Sequence, residues 1–474
     1  MLFNSFEFLL FFPLVTILYY LLPFKFRWLL LLLASCFFYM FFIPKYILIL
    51  FFTIIIDYFA GIQLEKIQKK NNKKRFLILS LIANIGILIV FKYYNFLNDN
   101  LTYVLQSLHT GNPIPVLNII LPIGLSFHTF QAMSYTIEVY RGNQKAEKHF
   151  GIYALYVMYF PQLVAGPIER PQNVLMQFHI KHNPDYVRIR TGLMQMLWGL
   201  FKKVVIADRL ALFVNAVYND PTSYQGIPLI WATIFFSFQI YCDFSGYSDI
   251  ALGASKVLGI DLMQNFRMPY LAKSIKSFWS RWHISLSTWF RDYLYIPLGG
   301  NRTSKPRWFF NLFIVFLISG FWHGANWTYI IWGGLHGIYL ILGILIEPVE
   351  KKYFNNNNLF TNILKRSFVF LLVAVAWVFF RANSVNDALY IISHFHKIDT
   401  KYLFGVATSS TINNLISIIL IGVLILSDYY FEWAERNMKI LSNNNLRYAL
   451  AFILLILTYL LGVFDKSSFI YFQF

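Results

Sequence analysis

Apolar stretches long enough to cross a bilayer follow one another along this chain from residue 7 to residue 464, with its basic residues gathered in the short connections between them. A hydrocarbon core about 30 Å thick needs roughly 20 apolar residues per helix. Inside that core every backbone polar group must find a partner within the protein, which leaves helices as the form these stretches take. Hydrophobic residues make up 58% of the 474 and charged residues only 13%, well below the roughly one quarter usual in soluble domains. The chain therefore reads as one all-α polytopic integral membrane protein rather than a string of soluble domains.

The pattern predicts spans near residues 7–22, 28–43, 47–62, 76–94, 116–139, 227–257, 308–323, 326–346, 367–381, 412–429 and 447–464. The run 191–217, interrupted by Lys202-Lys203 and Asp208-Arg209, reads as an amphipathic piece followed by a span, for eleven or twelve crossings in all. Phe150 to Gly166 is apolar but short, is broken by Pro161 and Gly166-Pro167, and has basic residues on both sides. A full crossing there would break the charge alternation, so a re-entrant or interfacial helix is expected. The loop Glu347 to Arg366, with asparagine at every position from Asn355 to Asn358, reads as a linker.

Cytoplasmic connections carry an excess of Lys and Arg. The basic loop from Glu65 to Arg75 is therefore placed inside, together with Lys25 and Arg27, the loop holding Arg141, Lys145 and Lys148, and the segment Asp261 to Arg307. The N-terminus and the Lys- and Arg-free segment Asn98 to Asn118 fall outside. The start of the chain has no basic n-region and no small-residue cleavage site after its first apolar run, so it reads as a retained helix. The net charge of +18 is spread over these loops, which suits orientation and contact with anionic lipid. It does not form the basic face that nucleic-acid binding requires. Cys36 and Cys242 lie in apolar sequence and read as packed free thiols.

Chemistry is sought where ionisable groups enter apolar sequence, because they are costly there. Four of the ten histidines do so: His128, His283, His323 and His336. Each has two readings, a functional group or a neutral imidazole hydrogen-bonded between helices. His323 stands between Trp322 and Trp327, with Gly324 directly after it and Asn326 placed to cap a new helix. One helix thus ends and another begins at this histidine, inside the bilayer. An imidazole held away from water stays neutral and can accept a proton, as a general base must. On a helix His283, Ser287 and Arg291 share one face, with Trp282 and Trp289 beside it, in an amphipathic segment expected to dip in from the cytoplasm. Gly333 and Gly337 bracket His336 as a close-packing pair, with His336 as an interhelical hydrogen-bonder. Asp57, Glu138 and Asp243 are acidic groups in apolar sequence, read mainly as partners of Lys92, Arg141 or Arg209 in structural ion pairs. Phosphate-loop, G-x-S-x-G, H-E-x-x-H and C-x-x-C patterns are all missing, which removes support for nucleotide hydrolysis, a serine-triad lipase and zinc proteolysis. No metal site and no bound cofactor are expected.

The run from Ser280 to Arg302, containing Arg281-Trp282-His283-Ile284-Ser285 and ending in Pro297-Leu298-Gly299-Gly300-Asn301-Arg302, resembles the signature of the membrane-bound O-acyltransferase family. Phe321-Trp322-His323-Gly324-Ala325-Asn326-Trp327 resembles its second signature. The stretches 121–127, 164–170, 243–251 and 377–382 are similar to the bacterial branch that O-acetylates alginate and peptidoglycan, and the likeness runs from about residue 5 to about residue 385. It implies one family domain over 1–474, with N-terminal helices to 140, a catalytic core over 141–385 and C-terminal helices over 386–474, arranged as tilted helices around a funnel.

The resemblance further implies that His323 is the catalytic residue and that His283 lies on the cytoplasmic approach. Trp282, Ser287, Arg291, Trp322, Asn326 and Asp243 are the candidates for holding substrate. The implied donor is acetyl-CoA, and the implied partner is an exported SGNH-type acetyltransferase that modifies the polysaccharide. The implied location is the bacterial cytoplasmic (inner) membrane. His128 stands where the resemblance leads one to expect another aromatic residue and takes no role. Two alternatives stay open: a D-alanyl-transferring relative with a carrier-protein donor, and a secondary transporter, although no pair of related halves is visible.

Overall fold

The structure is a computed structural model that describes residues 1–353, 358–397, 410–437, 444–464 and 469–470. It is all-α, with no strand among the described residues. Six helices are long and apolar enough to cross a membrane by length and composition: Pro44–Lys66, Lys70–Ser107, Ile227–Val257, Trp327–Glu350, Leu359–Arg381 and Thr411–Glu432. Phe6–Leu21 and Leu446–Leu461 are apolar but shorter. The remaining expected crossings correspond to helices that do not meet that test, among them Phe24–Met40, Leu125–Arg141 and Lys305–His323. The outward faces of the long helices carry Leu79, Ile82, Leu364, Phe368, Leu371, Ile419 and Leu426 in exposed positions. Rows of large apolar side chains facing outward belong against lipid.

Two compact units divide the chain. One comprises Met1–Met196 with Tyr247–Met263, the other Leu197–Gly246 with Gln264–Phe474.

In the first unit the connection expected over 98–118 is partly helical. Lys70–Leu88 continues through a π-helical turn, Ile89–Tyr93, into Tyr94–Ser107. The chain then returns along that helix, with Asn95 Nδ2 donating to Leu117 O at 2.9 Å and Leu117 N to Asn95 Oδ1 at 3.0 Å. The span expected from residue 116 begins only at Leu125, after Pro122 and after Gly124 in the left-handed region at φ 74°. The segment expected to be re-entrant is two short helices, Phe150–Met158 and Phe160–Leu163, buried from Gly151 onward. Its break is closed by side chains. The amides of Gln131 and Gln162 both donate to Tyr156 O, and Ser35 Oγ accepts from Phe160 N at 3.0 Å. That is how irregular backbone survives away from water.

Two acidic groups of this unit, Glu138 and Asp57, are satisfied in different ways. Glu138 pairs with Arg141 at 3.3 Å. Asp57 is held by neutral donors instead of a cation, with Ser80 Oγ and Asn84 Nδ2 (2.8 Å) donating to its carboxylate. His128 Nε2 lies 2.6 Å from Thr53 Oγ1, the interhelical hydrogen bond of a structural imidazole.

In the second unit Lys202 and Lys203, which interrupt an apolar run in the sequence, occupy a buried π-helical turn, Lys202–Ala207. Lys203 Nζ lies 2.7 Å from both Asp208 and Asp243, and Lys202 Nζ donates to Ser245 Oγ at 2.9 Å. Asp243 thus pairs with Lys203, not with Lys92, Arg141 or Arg209. Gly246 allows the close approach that makes this possible, since a Cβ there would lie 2.7 Å from Gly199 O. The linker expected over 347–366 shrinks, because Trp327–Tyr353 and Leu359–Arg381 take up most of it. Asn355 to Asn357 lie outside the described residues.

Candidate active site

Helices Lys305–His323 and Trp327–Tyr353 form a tight hairpin whose seam is made of glycine. A Cβ on Gly320 would lie 2.2 Å from Tyr329 O, and one on Gly333 2.2 Å from Phe316 O. Small residues let helix backbones approach this closely. Asn326 caps the second helix as its sequence position predicts, with Oδ1 accepting from Thr328 N at 3.0 Å. His323 is the last residue of the first helix, held at the hairpin turn.

The imidazole of His323 is buried and enclosed by rings. Trp322 lies 4.8 Å away between centroids, Trp332 5.0 Å and Phe380 5.4 Å, all near edge-to-face. The enclosure continues through Trp377, whose ring centroid lies 5.0 Å from that of Trp282 and 5.6 Å from that of Trp332. Trp332 also reaches His336 at 5.0 Å. The Trp279 indole donates to His336 Nδ1 at 3.3 Å, so His336 carries its proton on Nε2. Among the described residues neither His336 Nε2 nor Trp332 Nε1 has a hydrogen-bond partner, and both atoms are buried.

His283 lies on the connection between spans. Continuous helical spacing of His283, Ser287 and Arg291 does not hold. His283 is the residue before the helix Ile284–Phe290, with φ 44° in the left-handed region, which histidine enters more readily than most residues. Helix ends at Phe290, and Arg291 opens a π-helical turn, where it is exposed and its Nε donates to Asp292 at 2.8 Å. Ser287 is half-buried and its Oγ donates to Trp282 O. The His283 imidazole is buried, edge-on to Phe244 at 4.6 Å and 6.5 Å from Trp322. Burial pushes its pKa down to about 3, so it is neutral near pH 7.

Of the residues singled out from sequence, His283, His323, Trp282 and Trp322 belong to this one ring cluster, and the two histidines share Trp322 as a neighbour. Asp243 is tied to the cluster through its chain neighbour. Its carboxylate is bound by Lys203 and by Ile470 N at 2.7 Å, while the adjacent Phe244 meets His283. Asn326 caps the hairpin. Arg291 and Ser287 are not among the rings around either imidazole. Sequence reasoning missed Trp332, Trp377 and Phe380 as walls and Asn265 as a partner of His283. Trp377 and Phe380 lie in the stretch 377–382 that resembles the family, whereas nothing in the local spacing of Trp332 or Asn265 distinguishes them from ordinary apolar or loop residues.

This fold and this site define a class, polytopic membrane proteins that bury histidines within a cluster of aromatic rings. Residues 16–385 match the membrane-bound O-acyltransferase family, MBOAT, and the chain belongs to it. It is therefore a multi-pass membrane acyltransferase. It is 39% identical over 388 residues to the peptidoglycan O-acetyltransferase of Helicobacter pylori, covering 76% of this chain and 72% of that protein. It is 40% identical over 396 residues to the probable alginate O-acetylase AlgI of Azotobacter vinelandii, covering 82% and 76%. The teichoic acid D-alanyltransferase of Streptococcus thermophilus is more distant, 30% identical over 237 residues and covering 46% and 56%.

Proposed function

We propose that this protein is an O-acetyltransferase that takes an acetyl group from a cytoplasmic thioester donor, acetyl-CoA, and passes it across the membrane for O-acetylation of an exported polysaccharide such as peptidoglycan or alginate. The observation that carries this reading is His323 at the glycine-sealed hairpin turn, inside an aromatic ring cluster that also holds His283, in a chain whose nearer relatives bear O-acetyltransferase and O-acetylase names.

His323 acts as the general base. It takes the proton of an acceptor hydroxyl as that oxygen attacks the thioester carbonyl, so a C–O bond forms and the carbonyl oxygen becomes an oxyanion. The Trp332 and His336 N–H groups are the available donors for that oxyanion. Collapse breaks the C–S bond, and the leaving thiolate recovers the proton from the imidazolium. His283, with Trp282 and Trp322, lines the approach for donor or acceptor. Lys276, Arg302, Lys305 and Arg307 are exposed on the same connection and suit the phosphates of coenzyme A. The acceptor hydroxyl belongs to an exported SGNH-type partner, and a glycan hydroxyl then attacks that acetyl ester and releases the partner's hydroxyl. The orientation follows the loop charges, with the 261–307 connection facing the cytoplasm of a bacterial inner membrane and the N-terminus outside.

The test reconstitutes purified protein in liposomes with labelled acetyl-CoA or a carrier protein charged with D-alanine, together with an exported SGNH-type partner as the hydroxyl acceptor. Label should leave acetyl-CoA only, and His323→Ala should abolish the transfer. Turnover of the D-alanyl carrier instead, or undiminished transfer by His323→Ala, overturns the reading.

A further inference from the structure

Asn265 grips three successive residues at the entrance to the helix Ile284–Phe290. Its backbone carbonyl accepts from Ile284 N at 2.9 Å. Its side-chain Oδ1 accepts from Ser285 N at 3.2 Å and Ser285 Oγ at 2.9 Å, and lies 3.1 Å from His283 Nδ1. Asn265 is itself buried.

The usual ambiguity of an Asn–His contact is resolved here by the backbone. An amide can present either oxygen or nitrogen to a neighbour, and an imidazole can carry its proton on either nitrogen. Ser285 N is a peptide N–H, which can only donate, so the atom it meets must be the Asn265 oxygen. The same oxygen faces His283 Nδ1, and an oxygen without a proton can only accept. Nδ1 must therefore be the protonated nitrogen, which leaves the lone pair of the neutral ring on Nε2. The left-handed backbone at His283, φ 44°, belongs to the same arrangement, since it brings Nδ1 back toward the residue that binds the next two amides.

We propose that Asn265 is the positioning residue of the site, fixing His283 as the Nδ1–H tautomer so that Nε2 serves as a hydrogen-bond acceptor toward substrate. This rests on the functional reading of His283 given above. The acceptor class it implies is a hydroxyl- or amide-bearing group, which donates its O–H or N–H to Nε2 and is oriented by that bond. Trp279 imposes the opposite tautomer on His336, so the two flanking imidazoles present one acceptor and one donor.

The full-length protein in lipid, labelled with 15N-histidine, tests the tautomer directly, with the His283 signals assigned by their loss in His283→Gln. A pyrrole-type signal for Nδ1 and a pyridine-type signal for Nε2 are expected, and the reverse pattern overturns the proposal without any appeal to activity. Asn265→Leu should lower kcat about 10- to 100-fold with little change in donor KM, the scale on which partners that orient a working histidine act. Asn265→Asp, which keeps an oxygen at the same place, should recover most of that loss. Should Asn265→Leu fold and retain full kcat, the positioning role is wrong. Should His283→Gln retain full activity, the functional reading of His283 fails, whatever the tautomer. Should Asn265→Leu fail to fold, the wild-type spectrum and Asn265→Asp still decide.

Discussion

His283 and His323 lie against the same indole, yet they are put there by different means. His283 sits on an irregular turn and is oriented by the hydrogen bond its Nδ1 donates to a buried amide oxygen. His323 ends a regular helix and is placed by the rings of Trp322, Trp332 and Phe380, at a turn that two close-packed glycines make possible. Hydrogen bonds fix where a proton resides, whereas rings exclude water and fix where the imidazole lies. The first suits a residue that orients a substrate, and the second one that exchanges a proton during the reaction.

The difference can be broken most sharply at His323. His323→Gln should lower acyl transfer about 10²- to 10⁴-fold, the contribution of a general base, with membrane insertion unchanged by protease protection. His283→Gln should cost less, about 10- to 100-fold. Equal losses in the two variants would erase the distinction.

The hairpin can be tested through its seam. Gly333→Ala sets a Cβ 2.2 Å from Phe316 O, which backbone cannot easily yield, so a loss of about 1–3 kcal/mol in stability is expected. Gly343, on the same helix with nothing within 4 Å of an added Cβ, is the control, and Gly343→Ala should leave the melting temperature unchanged or higher.

Acid sharpens the comparison from the side of His283, whose pKa falls from 6.5 to about 3 on folding. The unfolded chain binds a proton that the folded one refuses between these values. Its contribution to stability is therefore full above pH 6.5 and is lost progressively as pH falls toward 3. Thermal unfolding in detergent at about pH 5 and about pH 7.5 should show less acid sensitivity in His283→Gln than in wild type. The smallest effect is expected at Arg291, where exposure and a local pair with Asp292 limit Arg291→Ala to less than about a 3-fold change in kcat.

Much of this is legible in the sequence. The helix 227–257 was bounded from its apolar run to the residue, and Asn326 was placed as a cap from its position after the Trp322-His323-Gly324 break. Other readings moved because side chains supplied partners that no local pattern shows. Lys202 and Lys203 looked like an interruption, yet buried carboxylates and a hydroxyl turn them into an internal network. Asn98 looked like the start of a loop but continues a helix, because asparagine amides satisfy the chain that returns along it. The helical face drawn through His283, Ser287 and Arg291 dissolved because His283 precedes its helix and Arg291 follows it.

Apolar length and loop charge alone establish an all-α membrane protein with histidines placed where ionisable groups are costly. Hydrophobic length, loop charge and the break after Trp322-His323 are local quantities, and each constrains the chain within a turn or two of helix. Which rings enclose which imidazole, and which nitrogen bears the proton, was decided only by the tertiary structure. Asn265 and His283 are 18 residues apart, and Trp279 and His336 are 57 apart. A hydrogen bond of about 3 Å between such residues depends on how whole segments pack, which no periodicity in the sequence records.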